Sequence, residues 1–285
     1  MTRSYDALVL DIDGTLVDEQ SLIRPRTREA IAQARSQGVI VMLATGRSSW
    51  GTRDIVDQLE LDAPSIVING AGLYDRREDR LIEHYALPEA MVTNLIAFAE
   101  RERFVSIVSS TSGQYARQPE GPESYILSDI RNLHLVQADE LPRRDVTRVT
   151  LFSLKHDSSA SLHHDVRHAA GDYPAYYTHF PLASLVHFRA STAQVVDAQP
   201  DCKGKAEALR VLHSRYGIPA ERVVAVGDAN NDLTILRAAG LGVAMGNATP
   251  EAKAAAKRVI GDNDSDALAE LIEELFLGAH TTTAT

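Results

Sequence analysis

Short apolar runs alternate with amphipathic stretches in the first part of the chain. One continuous apolar run ends at Leu10 and another begins at Val39, as expected for strands that are buried on both faces of a parallel sheet. Between them, a stretch with apolar residues at helical spacing begins at Pro25 and stops at Gly38. This order predicts a β-α-β unit and therefore an α/β fold, with a parallel sheet flanked by helices.

The pattern changes at about Leu87, where helix-like and strand-like stretches no longer alternate regularly. The predicted elements are a helix through Met91 and Phe98, strand-like runs at 104–108 and 114–116, a helix carrying Tyr125 and Ile130, a strand over 146–154, a helix around His163, and strand-like runs at 175–178, 185–189 and 194–196. Such a mixture predicts an α+β segment inserted into the first fold.

The alternation of strands and helices returns at Lys203 and continues through Leu275. We therefore predict a core made of two separate pieces of chain, residues 1–86 and 191–278, with an α+β domain over residues 87–190 between them. Residues 279–285 are small and polar, and we expect them to form a disordered tail.

Composition and net charge indicate which classes of molecule the protein is expected to bind. The chain has 285 residues, 44% hydrophobic and 24% charged, as in an ordinary globular protein. Its formal net charge of −10 opposes binding to nucleic acid and to anionic membranes, which leaves small molecules as the expected partners. The single cysteine, Cys202, cannot form an internal disulfide, and the first apolar run is too short for a signal peptide or a membrane span. We expect a cytoplasmic protein.

Two acids follow the first predicted strand. Asp11 and Asp13 stand at its end, and Gly14 comes next. Carboxylates this close repel each other unless a cation lies between them, and Mg²⁺ bound by carboxylates and a substrate phosphate is the usual solution. Because functional groups of open α/β sheets lie at the carboxyl ends of the strands, these residues predict a magnesium and phosphate site there.

Later segments carry further groups that suit such a site. Thr45 and Gly46 end the second strand, where a hydroxyl and bare N–H groups could meet an anion. Lys203 precedes the first helical pattern after the inserted segment, and a lysine there could neutralise a phosphoryl oxygen. Asp228 and Asp232 follow a further buried strand and add two carboxylates.

Taken in order, these segments resemble the four motifs of the haloacid dehalogenase superfamily of phosphohydrolases. The matching runs are Asp-x-Asp-Gly-Thr from Asp11, Thr45-Gly46, Lys203-Gly204, and Gly-Asp-x-x-Asn-Asp from Gly227. Asn69-Gly70-Ala71 and the run from Gly242 to Ala248 look like the Cof-type subfamily with its type IIB cap. The resemblance implies a Rossmann-like core with an α+β cap domain. One departure is visible: Lys-Gly-Lys-Ala-Glu-Ala-Leu from Lys203 is longer than the expected Lys-Gly-x-Ala-Leu pattern.

The resemblance also implies a role for each candidate residue. Asp11 would attack phosphorus to form an aspartyl-phosphate, while Asp13 would protonate the leaving alcohol and then activate water. Mg²⁺ would be held by Asp11, the backbone carbonyl of Asp13 and Asp228. The phosphate would be bound by Thr45, Gly46, Lys203 and Asn231, and Asp232 would anchor the waters of the metal or orient the lysine. The implied function is a Mg²⁺-dependent phosphatase acting on small phosphorylated metabolites, such as sugar phosphates.

Two other functions stay open at this point. A phosphotransferase or phosphomutase of the same superfamily would use the same residues but shield its aspartyl-phosphate from water. A non-catalytic ligand-binding protein would keep the fold, although it would have no need to assemble mutually repelling acids. Some residues also have plainer interpretations: Asn69 as a turn residue, Asp232 as a helix cap, and the histidines around His163 as surface or packing residues.

Overall fold

The computed structural model describes residues 4–119, 122–128, 130, 132–184 and 188–278. Its strands are β1 (Ala7–Leu10), β2 (Ile40–Leu43), β3 (Ser65–Val67), β4 (Gly72–Asp75), β5 (Arg80–His84), β6 (Val105–Ser110), β7 (Gln114–Arg117), β8 (Leu133–Val136), β9 (Val146–Ser153), β10 (Ala175–Pro181), β11 (Gln194–Pro200), β12 (Val223–Gly227), β13 (Leu241–Ala244) and β14 (Arg258–Val259). Its α-helices are α1 (Pro25–Ser36), α2 (Ser49–Gln58), α3 (Glu89–Glu102), α4 (Ser159–Ala170), α5 (Glu207–Tyr216), α6 (Leu233–Ala238), α7 (Pro250–Ala255) and α8 (Ala267–Ile272). None of the helices within these ranges is long and apolar enough to cross a bilayer.

The chain divides into two compact units, one formed by Met1–Ile82 with Lys203–Thr285 and the other by Glu83–Cys202. The first unit contains a five-stranded parallel sheet in the order β14-β13-β12-β1-β2. In this sheet Leu10 lies opposite Val226 on β12 and Leu43 on β2. The carboxyl ends of parallel strands meet at one edge, so the segments that follow β1, β2 and β12 are brought together.

Helices cover both faces of the parallel sheet, as the predicted α/β fold requires. Leu10 packs in an apolar cluster with residues of α1 and α8, whereas Val9 packs in a second cluster with residues of α5. Helix α1 has Pro25 at its first turn, and Gly38 with a φ of 81° lies just beyond its end. The predicted α/β fold is confirmed, and its helix boundaries follow from proline and glycine chemistry.

The second unit is an α+β domain. Its six-stranded sheet has the order β10-β11-β9-β6-β7-β8 and is antiparallel except for the β7–β8 pair. One sheet face packs against α3 and α4, where Leu95 and Val166 meet Val108. The other face carries a smaller apolar cluster that includes Ile107 and Phe152. The predicted α+β character of the inserted segment is therefore observed.

Two details differ from the prediction, and two predicted segments lie mostly or wholly outside the described residues. Strand β11 pairs with β9 and β10, so the inserted unit extends to Cys202 and the predicted boundary after residue 190 is wrong. Pairing with a strand so distant in sequence leaves no signal in the local hydrophobic pattern. The helix predicted through Tyr125 and Ile130 is a short run of 3₁₀ turns over Pro122–Leu127. The strand predicted over 185–189 lies mostly outside the described residues, as does the predicted tail over 279–285.

Candidate active site

Asp11 directly follows β1 and lies in the middle of the candidate site. Its backbone N–H donates to the carbonyl of Val226 at 3.0 Å, which extends the pairing of β1 with β12. The residue is only 5% exposed. Burial raises the pKa of the Asp11 carboxyl well above its ordinary value, the nearby Asp228 and Asp232 raise it further, and Lys205 opposes the shift. Positive charge beside this carboxyl favours its ionised form.

The buried cation of the site is Lys205 rather than Lys203. Lys205 Nζ lies 2.8 Å from Asp11 Oδ1 and 2.7 Å from Asp232 Oδ1, with the lysine side chain fully buried. Burial alone would lower the pKa of Lys205, but the two carboxylates hold it above its ordinary value. Lys203 is exposed, and its backbone N–H donates to Glu207 Oε1 at 3.3 Å. The role predicted for Lys203 is therefore misplaced by two residues.

Helical spacing explains the correction. Lys205 precedes the buried Ala208 and Leu212 by three and seven residues, the spacing that places side chains on one face of a helix. The run Lys-Ala-Glu-Ala-Leu from Lys205 also keeps the expected distance from lysine to Ala-Leu, with alanine in place of glycine. The irregularity noted after Lys203 was therefore the available signal for choosing the second lysine.

Three carboxylates gather around this lysine. Asp11, Asp228 and Asp232 each offer an oxygen within 4.8 Å of the others. Asp232 is fixed in place, because its Oδ2 accepts two backbone N–H bonds of 3.0 Å, one of them from Asp228, while its Oδ1 accepts from Lys205. Burial and repulsion by Asp232 raise the pKa of Asp228 to about 6. Such an excess of buried oxygen ligands over positive charge fits a hard divalent cation.

Gly14 and Thr15 bring the loop after β1 against Asp228. Gly14 has a φ of 74°, and a Cβ built on it would lie 2.4 Å from Asp228 Oδ2. Thr15 Oγ1 donates to Asp228 Oδ1 at 3.1 Å. Only glycine permits both the left-handed conformation and the close approach. The Gly-Thr of the first motif therefore serves to place a carboxylate that lies more than two hundred residues later.

Asp13 stands outside the carboxylate cluster. Its side chain is 59% exposed and forms a bidentate ion pair with Arg47, with Oδ1 2.5 Å from Nη2 and Oδ2 2.8 Å from Nε. Arg47 Nη1 also donates to the carbonyl of Gly51 in α2 at 3.2 Å. No role was predicted for Arg47, although an arginine directly after Thr45-Gly46 was a visible signal. This arginine donates to both oxygens of the Asp13 carboxylate.

Of the residues predicted to bind phosphate, Thr45 and Gly46 lie on the loop after β2 and Asn231 on the loop after β12, and Asn69 on the loop after β3 lies beside them. Thr45 is fully buried, and its Oγ1 accepts the backbone N–H of Arg47 at 3.1 Å. Asn231 Nδ2 donates to Asn69 Oδ1 at 2.9 Å, while Asn231 Oδ1 is buried and has no hydrogen-bond partner among the described residues. A Cβ on Gly46 would lie 3.1 Å from Asn69 Oδ1. Asn69, at a φ of 48°, is thus both a turn residue and a link between these loops.

Comparison with known proteins identifies the class to which this fold and site belong. The model of the haloacid dehalogenase-like hydrolase family matches residues 8–272, almost the whole chain. The chain therefore belongs to this family, as the motifs predicted.

Several of the relatives found are named as phosphatases. Pyridoxal phosphate phosphatase YbhA of Escherichia coli (strain K12) is 28% identical over 276 residues, which cover 93% of this chain and 96% of the relative. The 5-amino-6-(5-phospho-D-ribitylamino)uracil phosphatase YitU of Bacillus subtilis (strain 168) is 28% identical over 285 residues, 96% of this chain and 98% of the relative. A solved structure of a subclass IIB sugar phosphatase is 25% identical with a TM-score of 0.75, covering 94% of this chain and 98% of that one. These findings confirm the predicted enzyme class, a hydrolase of phosphoric monoesters.

Proposed function

We propose that the protein is a Mg²⁺-dependent phosphatase that hydrolyses small phosphorylated metabolites, such as sugar phosphates, through an aspartyl-phosphate at Asp11. The observation that carries this proposal is the ammonium of Lys205, buried between Asp11 and Asp232 and beside Asp228. Charged groups are costly to bury, so a cluster of this kind is maintained where its charge performs chemistry. The relatives support the substrate class, because both are named for phosphorylated small molecules.

The charge of the cluster supports a divalent metal. Three ionised carboxylates and one ammonium leave a net charge of about −2 before any substrate arrives. Asp11, Asp228 and the backbone carbonyl of Asp13 would hold the ion, with Asp232 anchoring its waters. When bound, Mg²⁺ supplies positive charge that lowers the pKa values of these carboxyls and offsets their repulsion of a phosphate.

Two carboxylates of the first motif carry the covalent chemistry in this proposal. A carboxylate oxygen of Asp11 forms a bond to phosphorus while the bond from phosphorus to the alcohol oxygen breaks. Asp13 donates its proton to that alcohol oxygen. Asp13 then accepts a proton from the water that attacks the aspartyl-phosphate, so that inorganic phosphate leaves and the Asp11 carboxylate is restored. The exposed position of Asp13 suits a group that exchanges protons with substrate and solvent.

The remaining polar residues position the phosphoryl group. Lys205 takes the role first assigned to Lys203 and neutralises a phosphoryl oxygen, with Asp232 orienting it. The Thr45 hydroxyl accepts from a backbone N–H, which leaves its own hydrogen for a phosphoryl oxygen. Gly46 and Asn231 complete this set. The net charge of −10 supports the accompanying proposal of a cytoplasmic enzyme without nucleic-acid or membrane partners.

The proposal is tested by measuring release of inorganic phosphate across a panel of phosphomonoesters with Mg²⁺ present. The Asp11→Asn variant should lose release of phosphate while keeping the circular dichroism spectrum of the wild type. Mass spectrometry after an acid quench should find a phosphorylated peptide that contains Asp11 in the wild type only. Near wild-type turnover by Asp11→Asn would refute the nucleophile. A rapid burst followed by slow turnover, accelerated by an added alcohol, would instead support a phosphotransferase.

A further inference from the structure

Two asparagines hold the loop after β1 from outside the carboxylate cluster. Asn247, after β13, donates from Nδ2 to the carbonyl of Gly14 at 2.8 Å. Asn263, after β14, donates from Nδ2 to the carbonyl of Val17 at 2.8 Å. The two are linked to each other, because the backbone N–H of Asn263 donates to Asn247 Oδ1 at 3.1 Å. Together they bind the backbone of this loop at Gly14, directly after Asp13, and at Val17, four residues after Asp13.

The loops that carry these asparagines are hydrogen-bonded to each other. The N–H of Gly246 donates to the carbonyl of Gly261 at 2.9 Å. A Cβ on Gly246 would lie 2.2 Å from Asp262 Oδ1, so this contact requires glycine. The backbone N–H of Ser265 donates to the carbonyl of Asp262 at 3.0 Å and closes the turn. The asparagine side chains therefore project from a defined scaffold.

The loop after β1 is not a regular helix, so hydrogen bonds from outside the loop help to define its backbone conformation. Asp13 is extended, with φ −76° and ψ 125°, and Gly14 is left-handed. The N–H of Val17 donates to the carbonyl of Ile12 at 3.1 Å across the loop. External hydrogen bonds to the carbonyls of Gly14 and Val17 therefore fix the path of the backbone from which the Asp13 side chain extends.

We propose that Asn247 and Asn263 are positioning residues that set the orientation of Asp13 for proton transfer. Neither residue touches the reacting atoms; both act through backbone carbonyls of the loop. The inference rests on the proposed role of Asp13 as acid and base. It predicts that loss of either asparagine side chain impairs protonation of the leaving group more than it impairs attack on phosphorus.

The leaving group of the substrate separates these two effects. An alkyl phosphate releases a strongly basic oxygen that needs a proton, whereas p-nitrophenyl phosphate releases a weakly basic phenolate. Asn247→Ala and Asn263→Ala should each lower kcat/KM for an alkyl phosphate by about 10- to 100-fold. The loss of kcat/KM with p-nitrophenyl phosphate should stay within about threefold, because kcat/KM reports attack on phosphorus and departure of the alcohol but not the later hydrolysis of the aspartyl-phosphate.

Ser265→Ala provides the matched control. Ser265 lies in the same loop as Asn263, but its hydroxyl bonds are to Asp262 and Ala267 and leave the loop after β1 untouched. This variant should keep the wild-type ratio of kcat/KM for the alkyl phosphate to kcat/KM for p-nitrophenyl phosphate. Hydrogen exchange of the metal-free protein gives a readout independent of activity. Peptides over residues 12–19 should exchange faster in Asn247→Ala and Asn263→Ala than in the wild type, and their exchange rates should be unchanged in Ser265→Ala.

Asp13→Asn distinguishes failure of this inference from failure of the proposed function. If Asp13→Asn lowers kcat/KM equally for both substrates or leaves both values unchanged, the role of Asp13 as acid is wrong and the inference falls with it. If Asp13→Asn shows the leaving-group dependence but the asparagine variants lower both kcat/KM values equally or leave them unchanged, the positioning role alone is overturned.

Discussion

Replacing Lys205 by methionine tests the arrangement of the site most directly, with Lys203→Met as its matched control. The two lysines are separated by one residue, but Lys205 is fully buried against two carboxylates and Lys203 is exposed. Methionine keeps most of the apolar length of the side chain and removes the charge. We therefore expect Lys205→Met to be destabilised and nearly inactive, and Lys203→Met to resemble the wild type.

The size of the effect follows from the distances. At 2.8 Å and an effective dielectric constant of about 20, the attraction of Lys205 to Asp11 is roughly 6 kcal/mol before desolvation. Desolvation of the buried charges offsets much of this, and removing one partner of a buried ion pair costs about 3–5 kcal/mol. In Lys205→Met, Asp11 can take up a proton and lose its charge, because its pKa is already raised in the wild type. This limits the loss of stability. Loss of one donor to the transferring group lowers kcat by about 100- to 1000-fold.

Urea denaturation and steady-state hydrolysis of an aryl phosphate with Mg²⁺ measure both effects. Lys205→Met should unfold at lower urea than the wild type and lose at least about 100-fold in kcat. Lys203→Met should change neither by more than about twofold. Equal losses in the two variants, or wild-type turnover by Lys205→Met, would refute the assignment of the buried lysine.

Further predictions concern the metal, the backbone and a histidine pair. Thorough chelation should abolish hydrolysis and Mg²⁺ should restore it; activity that survives chelation would exclude the metal. Gly14→Ala should lower activity strongly, because the new Cβ meets Asp228, whereas Gly38→Ala, at a φ of 81° with nothing within 4 Å, should cost about 1–2 kcal/mol of stability and leave kcat unchanged. His163 stacks on His179 at 4.8 Å, and burial, followed by the charge of His179, lowers its pKa below 6.5. Because this pKa is lower in the folded protein, the unfolded chain binds a proton more readily, and the free energy of unfolding should fall as the pH drops below 6.5. The midpoint of urea unfolding should therefore fall less between about pH 7.5 and about pH 5.5 in His163→Phe than in the wild type. An identical fall in the two proteins would contradict this.

Signals that are local in sequence predicted most of the core. The apolar runs ending at Leu10 and Gly227 gave buried strands, and the rule that parallel strands share one carboxyl edge placed Asp11 near Asp228. The structure has oxygens of both acids within 4.8 Å. Glycine and proline set the limits of α1 for conformational reasons that need no tertiary information.

Features that depend on tertiary contacts could not be predicted in the same way. The ion pair of Arg47 with Asp13 joins two loops that are 34 residues apart in sequence. The assignment of β11 to the inserted unit depends on its pairing with β9. In each case the deciding partner is remote in sequence, so local periodicity alone carries no information about it.

The pairing of Leu10 with Val226 has an evolutionary consequence. It fixes the separation of the strand ends that bear Asp11 and Asp228, and no residue of Glu83–Cys202 takes part in it among the described strands. Substitutions, insertions and deletions can therefore accumulate in that middle stretch while the distance between the two acids is preserved. A lineage of such enzymes can diversify one module and inherit the other unchanged.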